Sequence, residues 1–205
     1  EIEIDLLGCK MMPTFNFNGK VIKPLHEPNW LEDKSQDFDS LPGILKNLKG
    51  EFPCVPFGIN SSIIDLTNEW KSSYSEKPYV VNEPHGYSAN KKWELVNLES
   101  HEAEFKITYP KNDFVNFLNR KIKVNDNEPN KIFCTLQINV KQDCELPIGL
   151  HPMLRIPKNF SKIKIRPGNF KFGLNYPGIV LKDKTLGAIG KEFESLERVM
   201  GLNGD

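Results

Sequence analysis

The chain has 205 residues and carries 27 basic and 27 acidic side chains, so its formal net charge is zero. This length suffices for a sizeable core, and we expect a single domain over residues 1–205. The balanced charge argues against nucleic acid as a partner, and no apolar run approaches the roughly 20 residues of a membrane-spanning helix. We therefore expect a small-molecule partner, with no nucleic acid and no membrane, and leave a homodimer open.

The dominant sequence period is two, which indicates half-buried β-strands. In chain order, the predicted strands cover residues 1–7, 93–96, 103–109, 120–126, 131–140 and 161–167. The clearest run alternates apolar and polar side chains from Ile132 to Val140, and turn residues at 126–130 predict a hairpin before it. Many short strands separated by turns predict an all-β fold of antiparallel sheets, arranged as a sandwich or barrel.

Helix is scarce in this pattern. A proline near the start of 41–49 and Gly50 after it favour one short turn or helix. Apolar side chains in 191–200 recur at helical spacing before Gly201, and this segment is either a helix or an extended loop. Residues 26–43 and 60–78 are polar and predict long loops, which often carry function on a compact scaffold.

The four cysteines, Cys9, Cys54, Cys134 and Cys144, are scattered and form no CxxC pair. This favours a reduced, cytoplasmic setting, with Cys134 buried in the alternating strand. No metal-ligand spacing and no glycine-rich phosphate motif is present, so we expect neither a metal nor a cofactor.

Two of the four histidines, His85 and His151, lie in short segments rich in proline and glycine. Proline fixes the backbone and glycine frees it, so such segments hold unusual shapes. Because the ordinary pKa of histidine is near neutrality, either side chain is a candidate acid or base. Arg155 follows His151 by four residues and projects to the same side of an extended segment. The alternatives are a satisfied turn histidine, a core histidine and a surface arginine.

Aromatic side chains accompany these histidines. Residues 50–58 are dense in proline, glycine and aromatic residues, and Phe52 or Phe57 is a candidate flat wall for a sugar, although we expect one of the two rings in the core. Asn90 and Trp93 follow His85 closely, which makes them candidate binding residues of the same pocket.

Three segments in this order resemble the aldose 1-epimerase (galactose mutarotase-like) superfamily. The resemblance is carried by residues 50–58, by His85-Gly86 with Asn90 and Trp93 after it, and by the Gly-Leu-His-Pro run at 149–152 with Arg155. Residues 41–52 look like a bacterial epimerase-like branch. The resemblance spans most of residues 1–165 and implies an antiparallel β-supersandwich.

The resemblance also implies an activity, the interconversion of α and β anomers of an aldose. It makes His151 the catalytic acid and His85 a hydrogen-bonding partner of the sugar. Together with these catalytic residues we expect a set of substrate-binding residues, namely Arg155, Asn90, Trp93, Asn60 and Phe57.

Two departures from the family pattern have consequences. The family's general base is a glutamate on a late strand, and no segment of this chain matches it. We therefore expect either an N-terminal portion of a longer protein or a fold whose last strands belong to another chain, with little or no activity for residues 1–205 alone. Asn60 stands where the galactose-type family has an arginine, so galactose specificity does not carry over, and Arg155 points to a phosphorylated or acidic sugar instead. A non-catalytic carbohydrate-binding sandwich and a structural domain with a filled pocket remain alternatives.

Overall fold

The computed structural model describes residues 1–28, 47–58, 81, 83–156, 164–175, 187–197 and 199–201. The chain divides into two compact units, one formed by Glu1–Asn60 with Val81–Phe160 and the other by Ser61–Val80 with Ser161–Asp205. The expectation of a single domain over the whole chain stays a prediction.

The elements of the first unit are almost all strands. They are β1 (Ile2–Asp5), β2 (Lys10–Pro13), β3 (Phe15–Phe17), β4 (Lys20–Ile22), β5 (Glu51–Cys54), α1 (Tyr87–Asn90), β6 (Glu94–Leu98), β7 (Glu102–Thr108), β8 (Val115–Val124), β9 (Ile132–Val140) and β10 (Gly149–Pro152). All the named strand pairs are antiparallel. The all-β class predicted from the sequence is confirmed.

Two four-stranded sheets dominate this unit. The first has the strand order β1-β2-β5-β10, and the second is the meander β6-β7-β8-β9. The predicted hairpin is confirmed, because β8 and β9 pair from Val115↔Val140 down to Val124↔Ile132. Strands β3 and β4 form a separate two-stranded hairpin.

The two sheets pack face to face around the larger of the two apolar clusters that the described residues form. The first sheet and its continuation contribute Cys9, Met11 and Val55, and the second sheet and the residues beside it contribute Trp93, Phe105, Ile107, Tyr109, Val115, Leu118 and Ile122. Alternate residues of β7 and β8 are buried, as expected of strands with one face on a core. The prediction that Cys134 is buried is wrong: its strand, β9, is the last strand of the second sheet, and the side chain is exposed.

One ion pair crosses this core. Arg120 of β8 is 2% exposed, and its guanidinium donates to the Glu51 carboxylate of β5 and, at 2.7 Å, to the Cys9 carbonyl. Because a buried charge without a partner is costly, this pair fixes how β5 sits over the second sheet.

The other face of the first sheet carries the candidate site. Met11 pairs with Glu51 in the register of β2 and β5, and Phe52 pairs with His151 in the register of β5 and β10. Successive side chains of a strand point to opposite faces. Glu51 faces the core between the sheets, so Phe52 and His151 face away from that core.

The second unit has one strand pair in its described residues. Strand β11 (Gly173–Leu174) pairs with β12 (Glu192–Phe193), so the segment 191–200 begins extended, which agrees with the second of its two predicted states. The strand predicted at 161–167 is not present at 164–167, and its first three residues lie outside the described part. Most of the segments predicted as loops, 26–43 and 60–78, also lie outside the described part. The same holds for residues 41–46 of the predicted short helix. In the part of the chain that the structure describes, no helix is long and apolar enough to span a membrane.

Candidate functional site

The imidazoles of His85 and His151 meet on the outer face of the first sheet. Their ring centroids are 4.9 Å apart and the rings are nearly perpendicular, at 81°. His151 comes from the edge strand β10, and His85 comes from the segment just before α1. Both side chains are half-buried. The two histidines chosen from the sequence therefore lie together, close enough for one small molecule to contact both.

A tight turn holds His85 in place. The Gly86 amide donates to the Glu83 carbonyl at 2.9 Å, Pro84 is the second residue, and His85 has φ 64°. Proline second and a positive φ third are typical of a type II turn, whose third position normally takes glycine or asparagine. Histidine at this position is strained, and such strain occurs at functional sites.

The close packing around residue 86 explains why a glycine follows His85. Its φ is 80°, and a Cβ built on it would lie 2.0 Å from the Pro56 carbonyl oxygen. No other residue fits between this turn and the segment after β5. The His85 amide also donates to the Gly58 carbonyl at 2.7 Å, so the turn is fastened to the end of residues 50–58.

Asn90 and Trp93 support this turn. Asn90 Nδ2 donates to the carbonyls of Pro84 (2.7 Å) and Gly86 (2.8 Å). Trp93 is 1% exposed, and its indole N–H donates to the Ser88 carbonyl at 2.9 Å. The prediction that Trp93 binds the substrate is wrong, because its ring packs in the core between the sheets. The amide of Asn90 is likewise used to brace the backbone around His85.

Phe52 and Phe57 have different surroundings, as expected. Phe52 is fully buried and stacks on His151, with centroids 4.9 Å apart and an interplanar angle of 6°. Phe57 is 45% exposed, and its ring lies 6.2 Å from the His85 ring. A Cβ on Gly149 would lie 2.9 Å from the Phe57 ring, which accounts for glycine there. Phe52 supports His151 from below, whereas Phe57 offers an accessible apolar surface beside the pair.

The polar atoms of the pair are partly unsatisfied. The Nδ1 atoms of both His85 and His151 are buried without a hydrogen-bond partner, and so is Oε2 of Glu83, two residues before His85. Burial lowers the pKa of His85 below its ordinary value, and the nearby His151 imidazole lowers it further. His85 is therefore neutral at physiological pH. Unpaired buried polar atoms are uncommon and point to a bound partner or a catalytic role.

Arg155 forms its hydrogen bonds with residues 24 and 25 and not with the histidine pair. Arg155 is exposed, its amide donates to the Pro24 carbonyl at 2.8 Å, and its Nε donates to the Leu25 carbonyl at 3.4 Å. Strand β10 ends at Pro152, and the chain then follows residues 24–26. Asn60 lies outside the described residues. The substrate-binding role of Arg155 stays a prediction.

Two neighbours of the site were not found from the sequence. Glu83 is fixed by an ion pair with Lys91, and Lys10 lies beside Phe52. Lys10 lies beside Phe52 because strand β2 pairs with β5, which in turn pairs with β10. These strands are far apart in the sequence, so their pairing cannot be predicted from the local sequence pattern. Among the described residues, no group of three or more histidine, cysteine, aspartate or glutamate side chains is placed to hold a metal ion.

Comparisons of the chain with family models, with curated proteins and with solved structures each give no match. The class that the fold and the site define is an all-β sandwich with a histidine pair on its outer face.

Proposed function

We propose that the protein is a carbohydrate isomerase of the mutarotase type, which interconverts the α and β anomers of an aldose. The observation that carries the proposal is the meeting of His85 and His151, at 4.9 Å, from two segments far apart in the sequence. The resemblance assigns the catalytic acid to His151 and a hydrogen bond with the sugar to His85.

The reaction defines what the two imidazoles have to do. Ring opening needs a proton on the ring oxygen and removal of the proton from the anomeric hydroxyl; closure reverses both transfers after rotation about the C1–C2 bond. We assign the first proton to His151. A properly placed general acid contributes about 10²- to 10⁴-fold to the rate.

His85 suits a different task. Because burial and its neighbour lower the pKa of His85, its imidazole is neutral and can accept a hydrogen bond from a sugar hydroxyl. Its strained turn fixes the direction of that bond. The partly exposed Phe57 ring offers an apolar surface for one face of the sugar. The resemblance assigns the base to a glutamate that residues 1–205 do not match.

A second function is favoured by one observation. No residue of 1–205 matches the late-strand glutamate to which the resemblance assigns the base. A sandwich that keeps the pocket without a base would bind a carbohydrate and not turn it over. This non-catalytic binding module is the alternative proposal.

Substrate and setting are part of the same proposal. The partner is a small sugar, and a phosphorylated or otherwise modified aldose is a variant of the same proposal. A cytoplasmic location fits the four cysteines, which form no disulfide.

The test is anomer exchange followed by NMR on a panel of aldoses and aldose phosphates, with the full-length protein. We expect acceleration by the wild type and a loss of about 10²-fold or more in His151→Ala. His101→Ala is the matched control, since His101 is an exposed histidine paired with Asp126. Equal rates of anomer exchange for the wild type and His151→Ala overturn the isomerase proposal. Sugar binding without faster anomer exchange supports the non-catalytic binding module instead.

A further inference from the structure

Strands β1 and β6 are edge strands of the two sheets, and they meet at one end only. Leu7, just after β1, forms an antiparallel bridge with Lys92, and the Trp93 amide donates to the Leu6 carbonyl at 2.8 Å. Beyond this point, β1 pairs only with β2 and β6 pairs only with β7 among the described strands. The two edges therefore separate towards the start of β1 and the end of β6, and a cleft opens between the sheets.

This cleft has a volume of about 630 Å³, which is within the usual range for a binding site. Its two walls are apolar and continue the core of the sandwich outward to the solvent. The side chains that form them come from both sheets, with Ile2, Ile4 and Leu6 on one side and Leu95, Leu98 and Phe105 on the other. The cleft is therefore an apolar surface that an occupant could cover.

A β-bulge turns the second leucine of β6 towards the cleft. Leu95 pairs with Phe105 and Leu98 pairs with Ala103, and the register shifts between Leu95 and Asn97. Residues three positions apart in a regular strand point to opposite faces, but the bulge places both leucines on the inner face. They are nevertheless 47% and 68% exposed. The second sheet therefore presents two inward-facing leucines with much of their surface open to solvent.

The polar side chains around the cleft are mostly acidic. Among the described residues that line it, none is a lysine or an arginine, one is a histidine, and four carry carboxylates, namely Glu1, Glu99, Glu102 and Asp126. Lys121 pairs with Glu102 at 2.7 Å, and His101 pairs with Asp126 at 3.1 Å. These two pairs offset part of the negative charge, and the remainder favours an occupant that carries positive charge.

We propose that this cleft binds an extended peptide segment of a partner protein, in which apolar side chains alternate with lysine or arginine. The segment adds as a strand between β1 and β6 and forms hydrogen bonds with the free backbone edge of β6. Its apolar side chains cover Ile4, Leu95 and Leu98 on the inside. Its basic side chains point outward, beside the exposed Glu3 of β1 and Glu94 of β6.

Two other occupants fit the cleft less well. A second copy of the chain that docked through the same strands would bring like carboxylates together, those of Glu3 and Glu94. A small apolar molecule would fill the cleft but leave the backbone edge of β6 without hydrogen bonds. A basic and apolar strand matches the walls, the charge and the backbone edge together. The site does not use the histidine pair, so it does not depend on the proposed sugar chemistry.

The test measures binding of a fluorescent peptide of about eight residues, in which valine and lysine alternate, by anisotropy with the full-length protein. We expect saturable binding, and about tenfold or more weaker binding when glutamate replaces lysine or when the backbone amides are N-methylated. Equal binding of the glutamate peptide overturns the charge preference, and equal binding of the N-methylated peptide overturns strand addition. Binding of hexylammonium without binding of the valine–lysine peptide shows a small-molecule cleft and overturns the proposal.

A variant pair locates the peptide on the protein. Leu98→Lys places a positive charge on the wall of the cleft and should weaken binding of the valine–lysine peptide about tenfold or more. Val21→Lys is the matched control, since Val21 is also 68% exposed and lies in the separate hairpin of β3 and β4, and it should leave binding unchanged. A folded Leu98→Lys protein that binds the peptide as the wild type does overturns the proposal. If Leu98→Lys fails to fold, the peptide comparisons on the wild type still decide it.

Discussion

His151 lies parallel to Phe52 and edge-on to His85, with all three rings within 6.1 Å of one another by their centroids. The buried Phe52 supports one face of the His151 imidazole, and His85 approaches from a strained turn. The site is therefore held by a rigid strand pair on one side and a fixed loop on the other. This arrangement allows the contribution of each part to be tested separately.

The positive φ of His85 predicts that glycine at this position gives a more stable protein than alanine. His85→Gly and His85→Ala both remove the imidazole, but only glycine adopts φ 64° without strain. We expect the glycine variant to be more stable than the alanine variant by about 1 kcal/mol, with sugar binding weakened equally in both. Urea denaturation and a binding isotherm measure the two quantities. An alanine variant as stable as the glycine variant would show that the turn carries no strain.

The lowered pKa of His85 predicts a pH dependence of stability. Between the pKa in the folded state and the ordinary value of 6.5, the unfolded chain binds more protons than the folded chain. The free energy of unfolding therefore falls as the pH is lowered through this range. Urea midpoints from pH 8 to pH 5 should fall less in His85→Asn than in the wild type. Parallel curves for the two proteins contradict the burial of a neutral His85.

The close contact at Gly86 predicts a large effect of one methyl group. Gly86 and Gly19 have nearly equal φ values, 80° and 75°, but a Cβ at Gly19 meets nothing within 4 Å. Gly19→Ala therefore measures backbone strain alone, about 1 kcal/mol. Gly86→Ala adds the clash with Pro56 and should cost at least twice as much in thermal or urea unfolding. Equal losses in the two variants contradict the packing of the turn against residues 50–58.

The buried ion pair predicts a non-additive double mutant. Removing one partner, as in Arg120→Met or Glu51→Gln, leaves the other charge buried and should cost about 3–5 kcal/mol. The combined Glu51→Gln and Arg120→Met protein should be more stable than the Arg120→Met protein, because no charge is left unpaired. A double-mutant cycle by urea unfolding measures the coupling. Additive losses would mean that the two side chains do not interact across the sheets.

Much of the second sheet could be predicted from the sequence, because a strand with one buried face alternates along its own length. Strand β9 runs from Ile132 to Val140, close to the predicted 131–140, and its hairpin with β8 is confirmed. The first sheet was harder. Its central strand β5 pairs with β2 and β10, which lie far from it in the sequence. No local period records such a pairing.

The candidate site was likewise predictable from the sequence only in part. Proline and glycine around His85 and His151 were sufficient to select both histidines, since they constrain the backbone locally. The position of Trp93 was not predictable, because an aromatic residue next to a strand fits a pocket and a core equally well. Lys10 resembles any surface lysine in the sequence, and only its place beside Phe52 distinguishes it.

The central claim is that one sugar contacts both imidazoles. An NMR titration of imidazole-labelled protein with the sugar that binds best on the panel tests it directly. We expect the His85 and His151 signals to shift together along one binding isotherm, while the exposed His101 signal stays unchanged. Movement of only one of the two signals, or of neither at saturating sugar, contradicts the claim.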